Sequence, residues 1–257
     1  MTPPQRGMRA TLVDIFRYPV KSLGGEALPA VALAPGSGLA SDRRYALVPA
    51  NADAWTPGWR PKSRCVALVR HAALARVSAR FDDGAQVLAI TESGDELVRG
   101  RPETGAERER IEAALNRALA KDVGEVALAP AGPGAMLSDV DAPFVSFLNL
   151  ASVRALGAAL GAEVDPLRFR ANFHFEDAPA WCERACAGQR VSLGGAILEV
   201  VEVIGRCAAT EVNPATAARD LQILKGLAGF GHAEMGVYAK VVASGRVERG
   251  ATLEFID

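Results

Sequence analysis

The sequence predicts a mostly β, α+β fold, and three observations carry that prediction. Short apolar runs at 9–16, 28–33, 44–49, 65–70, 76–81 and 86–91 are separated by Gly, Asp and Pro clusters, the pattern of a barrel or sandwich. Only three stretches, 105–120, 151–160 and 219–228, read as helices. Gly194-Gly195 divides Val191-Ser192-Leu193 from Ala196-Ile197-Leu198, and a Gly pair supplies the positive φ of a tight hairpin turn.

In chain order, residues 9–16 (Arg-Ala-Thr-Leu-Val-Asp-Ile-Phe) read as a strand, and Tyr18 to Gly25 as a loop. Trp55 to Pro61 is aromatic and Pro-rich without periodicity, which predicts an ordered loop. Phe81-Asp82-Asp83-Gly84 reads as a turn rather than a carboxylate dyad. In 105–120, Ile111, Ala114, Leu115, Ala118 and Leu119 recur at helical spacing. Thr104 and Glu107 form a capping-box pattern before that stripe. The stripe is narrow and Ala-rich, so this helix is expected on a sheet surface. Ala129-Pro130-Ala131-Gly132-Pro133-Gly134 is the candidate linker.

Beyond it, Phe144 to Leu148 reads as a strand, and Asn149 as the N-cap of a helix over 151–160. Val153, Leu156, Gly157 and Leu160 form its inner stripe. Strands at 237–242 and 252–256 flank a turn at Ser244-Gly245.

The chain has 257 residues and a net charge of −1, enough for one large or two small cores. A basic nucleic-acid footprint is missing. No segment reaches the ~18 apolar residues of a membrane span. Four Cys in this length are too sparse for a disulfide scaffold, so a reducing cytoplasm is the expected location.

Cys207 carries the main chemical signal. It follows the apolar run Ala196 to Ile204 and opens the polar loop Arg206-Cys207-Ala208-Ala209-Thr210-Glu211-Val212-Asn213-Pro214. A thiol just past a buried strand is placed to meet a ligand, as a nucleophile or a soft-metal donor. Lys21-Ser22, Asp42-Arg43 and Arg168-Phe169-Arg170-Ala171-Asn172 supply cations suited to an anion. The two arginines of the last run would share a face if it continues the strand 173–175. Cys182 and Cys186 lie four apart, but no second Cys pair or His cluster completes a zinc site. His71, His174 and His232 are scattered, and packing or surface roles are expected for Cys65, Cys182 and Cys186.

These segments resemble the MOSC family (molybdenum cofactor sulfurase C-terminal domains) with its N-terminal β-barrel partner domain. Tyr18-Pro19-Val20-Lys21-Ser22 resembles the family's opening signature, and Ser41 to Val48 its next block. Ser138-Asp139 to Pro143, then Leu148 to Ser152, resembles the start of the MOSC domain proper. Arg168 to Asn172 is similar to its Arg-Phe-Arg-Pro-Asn motif, and Arg206-Cys207, Thr210 and Asn213-Pro214 to its Arg-Cys…Thr…Asp-Pro motif. Gly236-Val237-Tyr238-Ala239 and Gly245 to Gly250 are similar to its closing hairpin.

The resemblance implies two packed β-barrel-like units with short covering helices, over 8–130 and 135–257. It also implies a molybdenum cofactor, a pterin dithiolene with a phosphate, in the cleft between them. Cys207 is implied as the metal ligand. Lys21, Ser22, Arg43, Arg170, Asn172 and Arg206 would hold the pterin and phosphate, with Asn149 and Thr210 as further contacts. Ala171 stands where the family has Pro, and Asn213 where it has Asp. Gly205 stands where relatives of the mitochondrial amidoxime-reducing type carry Ser.

Two functions follow from the resemblance. One is an oxidoreductase that removes oxygen from N-hydroxylated small molecules such as hydroxylamines or amidoximes. Its electrons would come from a separate flavin or iron–sulfur partner, with neither nucleic acid nor membrane involved. The other is a sulfur carrier or cofactor-transfer protein with a persulfide on Cys207.

Overall fold

The computed structural model describes residues 6–256. The first part of the chain forms β1 (Arg9–Arg17), β2 (Glu26–Leu28), β3 (Ala30–Leu33), β4 (Tyr45–Pro49), β5 (Val77–Asp82), β6 (Val87–Glu92) and β7 (Asp95–Gly100). Helix α1 (Gly105–Val123), β8 (Val126–Pro130), β9 (Val145–Asn149), α2 (Leu150–Leu160) and β10 (Phe173–Glu176) follow. The chain closes with β11 (Arg190–Leu193), β12 (Ala196–Gly205), α3 (Ile223–Gly229), β13 (Glu234–Ala243), β14 (Gly245–Glu248) and β15 (Thr252–Phe255). The mostly β, α+β class holds.

Seven strands close into a barrel in the order β10-β9-β13-β12-β11-β15-β1, with β1 returning to β10. Closure leaves these strands no open edge. Strand β1 makes this possible by changing partners along its length. It pairs with β15 at Arg9–Thr11, with β10 from Thr11 to Ile15, and with β2 from Ile15 to Arg17. The barrel of the second half therefore includes a strand from the chain's start. Alternation places Leu12, Phe147, Phe173, Phe175, Leu198, Val237 and Leu253 in its core.

The smaller unit joins the pair β4-β8 and the meander β5-β6-β7 around a second core that includes Tyr45, Leu47, Phe81, Leu88 and Ile90. Helix α1 lies on it through Ile111, Leu115 and Leu119, as the narrow stripe predicts. The Val20–Gly24 segment links the two sheets through bridges Val20 to Tyr45 and Gly24 to Ser78. A third cluster, with Val153, Leu156, Phe169, Ile223 and Leu227, packs α2 and α3 against the barrel.

Several local expectations change. The run 65–70 forms no strand: Val66 makes one strand-like bond to Leu47 (2.8 Å), then the chain turns at Leu68. Strand β7 covers a stretch with no assignment from the sequence, β8 takes in the first two residues of the expected linker, and β14, beginning at the Gly245 of the expected turn, pairs with β3. Pro29 divides β2 from β3. Thr104 makes no side-chain cap, because Glu107 accepts from Arg101 N instead (2.7 Å). Helix α3 begins at Ile223, since Asp220 is held outside it by Arg168. The Gly194-Gly195 hairpin forms with φ of 56° and 82°.

Two stability predictions follow from this packing. Leu12 is fully buried where β1 crosses from β15 to β10. Leu12→Ala should cost about 2–5 kcal/mol, read as a lower urea midpoint. His174 is buried, stacks on Phe16 at 4.9 Å and leaves Nε2 without a partner. Burial lowers its pKa from 6.5 to about 4. The unfolded chain thus binds this proton at higher pH than the folded one, so stability falls as pH drops through that window. His174→Phe should flatten the pH dependence of urea unfolding between pH 6.5 and 4, a difference on the order of 3 kcal/mol.

Candidate functional site

Between the barrel and the smaller unit lies a solvent-open cleft. The smaller unit contributes Lys21, Ser22 and Arg43; the barrel side contributes Arg170, Asn172, Arg206, Cys207 and Thr210. Eight of the nine expected site residues therefore meet in one place.

The Lys21-Ser22 loop is fixed by backbone bonds on both sides. Lys21 N donates to Tyr45 O (2.8 Å), Gly24 N to Val77 O (2.8 Å), and Ala79 N to Gly24 O (2.9 Å). Gly24 is required because a Cβ there would lie 2.2 Å from Ser78 Oγ. Ser22 Oγ accepts from Leu68 N (3.2 Å), which leaves its O–H to donate elsewhere. Ser22, Arg43 and Arg170 all have left-handed backbones, with φ of 73°, 47° and 53°. Such strain in non-Gly residues costs roughly 1 kcal/mol or more apiece and concentrates at functional sites.

Cys207 follows the end of β12 in extended conformation, before a 3-10 turn at Ala208–Glu211. Thr210 N and Oγ1 both donate to Cys207 O, at 3.1 and 3.0 Å. Thr210 thus shapes the turn. Arg168 braces the following loop, donating to Glu211 O (3.0 Å) and Asp220 Oδ1 (2.6 Å). Arg219 ties the same loop across the cleft, reaching Ala208 O (2.6 Å) and Val69 O (2.7 Å). Cys207 is the half-buried thiol; Cys65, Cys182 and Cys186 are buried. Burial pushes the Cys182 thiol up to about 12 and raises Cys65 and Cys186 as well.

The cations of the cleft are unevenly compensated. Arg43 pairs with buried Asp42, which holds its pKa above the ordinary value against the pull of burial. Its Nη2 donates to Arg170 O (2.7 Å). Arg170 donates to Leu23 O (2.6 Å), and Arg206 to Met235 O (2.7 Å) and Phe169 O (2.9 Å). Among the described residues, neither Arg170 nor Arg206 has a carboxylate at ion-pair distance. Burial lowers both to about 10. The Nη2 of Arg206 is buried without a hydrogen-bond partner. It lies against Gly236, where a Cβ would come within 3.1 Å of it and 2.5 Å of Phe147 O. Tyr18 sits between two of the cations, its ring 4.7 Å from Arg43 Cζ and 4.4 Å from Arg170 Cζ.

Two expectations need correction, for Asn149 and for a face shared by Arg168 and Arg170, and two cleft residues are already engaged by the chain. Asn149 lies outside the cleft: its Oδ1 caps α2 by accepting from Ala151 N (3.0 Å), and its Nδ2 donates to Pro179 O (2.8 Å) and Glu183 (3.1 Å). Asn172 borders the cleft, but its amide is saturated. Its Oδ1 accepts from Ser146 N (3.1 Å) and Oγ (3.0 Å), while Nδ2 donates to Phe16 O and Asp42 Oδ2, both at 3.1 Å. Lys21 is likewise engaged, with Leu137 O and Ser138 O at 2.9 Å and Asp139 Oδ1 at 2.7 Å. Burial lowers its pKa. Arg168 and Arg170 share no strand face, because 166–169 is a 3-10 turn and Arg170 its left-handed cap.

Sequence reasoning also missed cleft residues. Lys62, Asp139, Phe144 and Tyr238 line it, and only the motif positions of Asp139 and Tyr238 signalled any of them. Tyr18 is the other omission. Its hydroxyl is buried without a partner, so Tyr18→Phe should leave stability unchanged or raise it by about 1 kcal/mol. Tyr18→Ala should cost about 3–5 kcal/mol, since it empties the space between two guanidiniums. Thermal denaturation of the two variants would check this contrast.

Comparison with known proteins agrees with this architecture. The family model described as the MOSC N-terminal beta barrel domain matches residues 9–129, and the MOSC domain matches 137–254. No curated protein sequence matches the chain. The YuaD protein of Bacillus subtilis is a similar solved structure, at 11% identity and TM-score 0.46, covering 96% of each chain. YiiM from Geobacillus stearothermophilus is similar over 44% of this chain and 54% of its own, at 17% identity and TM-score 0.34. YiiM from Escherichia coli is similar over the same shares, at 16% identity and TM-score 0.34. With both domain models matched in order along one polypeptide, the chain belongs to the MOSC family, its MOSC domain preceded by the family's N-terminal β-barrel domain.

Proposed function

We propose that the cleft binds a molybdenum cofactor and that the protein is an oxidoreductase acting on N-hydroxylated small molecules. The observation that carries this reading is one half-buried thiol, Cys207, sharing a cleft with two half-buried guanidiniums that lack carboxylates. A pterin with a phosphate and a thiophilic metal has the matching chemistry at both ends.

The residues fit the group. Among the described residues, no three His, Cys, Asp or Glu side chains gather into a metal site. A metal here would arrive with its own dithiolene sulfurs and take a thiolate from Cys207. Arg43, Arg170, Arg206 and the Ser22 O–H all keep donor capacity for a phosphate or pterin oxygen, and a guanidinium matches a phosphate edge through its planar fork. Lys62, exposed at the same cleft, adds positive charge.

When bound, the cofactor supplies a redox centre able to accept an oxygen atom. The chain's residues do the rest. The Arg168 and Arg219 braces hold the Cys207 turn. Asp42 and Asn172 fix Arg43 and the strand ends behind it. Phe144 and Tyr238, with ring centroids 6.0 Å apart, offer an aromatic wall for an organic substrate. Electrons would come from a separate flavin or iron–sulfur protein. No helix among the described residues is long and apolar enough to cross a membrane.

The test is elemental molybdenum and pterin content of protein made in a host that synthesises the cofactor, with turnover of an amidoxime by an artificial electron donor. The parent should carry close to one Mo per chain and reduce the amidoxime. Cys207→Ser should lose Mo and fall to background. Loaded protein without turnover would overturn the reductase reading. A persulfide on Cys207 without Mo would favour sulfur transfer instead.

A further inference from the structure

Lys21 was expected to clamp an anion, yet its ammonium is already coordinated. Its three N–H groups meet three acceptors: Leu137 O (2.9 Å), Ser138 O (2.9 Å) and Asp139 Oδ1 (2.7 Å). An ammonium has no fourth donor. An anion reaching Lys21 must therefore replace one of these acceptors, and they differ in how readily they leave. The two carbonyls belong to the backbone of the segment 131–144. The carboxylate is a side chain, half exposed at 50%, whereas the Lys21 side chain is 8% exposed and fixed in its loop. Asp139 has no second side-chain hydrogen bond among the described residues to hold it there. Among the described residues it is also the only carboxylate lining the cleft.

The latch needs only the Asp139 side chain to turn away, since the backbone beside it is held, with Leu137 buried and its N donating to Arg43 O (2.9 Å). Residues 131–144 contain neither helix nor strand, and Gly132 and Gly134 have φ of 87° and 70°. Met136, within it, faces both this cleft and a second one lined by Ser37, Pro57 and Glu103. The segment is thus a partition with open space on each side. Trp59 Nε1 donates to Ser138 O (3.2 Å), the same carbonyl that Lys21 holds.

We propose that Asp139 is a latch on Lys21, a built-in carboxylate that a phosphomonoester dianion displaces when it seats in the cleft. This rests on the reading of the cleft as the site of a phosphate-bearing ligand. Displacement exchanges one negative charge for two beside Arg43, Arg170 and Arg206, and in a partly dry cleft that exchange favours the dianion. A monoanion exchanges like for like and gains little. The latch thereby keeps small monoanions off Lys21 and releases Asp139 to solvent when the phosphate arrives.

The experiment titrates the full chain with inorganic phosphate at pH 8, followed by calorimetry and Trp emission. Asp139→Asn and Asp139→Ala should bind phosphate about five- to tenfold more tightly than the parent, by removing a competing ion pair. That gain should vanish when Lys21→Gln is added. In the parent, phosphate should change an emission component that Trp59→Phe removes. Unchanged or weaker binding in both Asp139 variants would overturn the latch while leaving the anion site standing. Absence of phosphate binding in the parent and in both variants would overturn the latch and the anion reading together.

Discussion

Like charges crowded together at a half-buried seam are the constraint on which this molecule is organised. Arg43, Arg170 and Arg206 meet at the seam between the two units, and the one fully buried carboxylate beside them, Asp42, is paired with Arg43. Burying an uncompensated cation is costly, so the surroundings supply what they can. Backbone carbonyls of Leu23, Phe169, Met235 and Arg170 accept from the guanidiniums. Two of them lie over the Tyr18 ring, a cation–π arrangement that strengthens as water is excluded. Left-handed backbones at Ser22, Arg43 and Arg170 add strain to the same place. A structure that accepts those costs at its seam is arranged for a partner that brings negative charge.

The polar residues around the seam divide into two kinds by remaining hydrogen-bond capacity. Asn172 ties Phe16, Asp42 and Ser146 into one network, while Arg168 and Thr210 shape the loop that presents Cys207. Asn172 and Thr210 are engaged by the chain itself, while Arg168 keeps its Nε without a partner. Ser22, Arg43, Arg170 and Arg206 retain donors, and Cys207 stays half-buried. Motif residues that look equivalent along the chain are thus unequal in space.

That inequality explains what could be read from the sequence. The cap at Asn149 and the hairpin at Gly194-Gly195 rest on neighbours in sequence, and both form. So does the apolar stripe of α1. Strand β7 escaped notice because Asp95-Glu96-Leu97-Val98-Arg99 is an exposed edge with charges on it, and such an edge lacks the apolar run that marks a strand. The site set came from a family pattern, which names positions but not directions. Nothing local to Lys21 reveals that its acceptors lie at residues 137–139, and nothing local to Arg170 reveals a left-handed cap. Those are long-range facts of packing.

Strand β1 has one more implication. Its hydrogen-bonding neighbours β10 and β15 lie far along the chain, and Arg9 ends beside Glu254. During synthesis β1 emerges long before either of these neighbours, so the cylinder cannot shut until the residues through Phe255 have left the ribosome. Pairings this distant in sequence slow the search for the native topology. Meanwhile the apolar side of β1, with Leu12 and Ile15, waits uncovered, and nascent chains of this protein depend on whatever shields that strand until its last neighbour arrives.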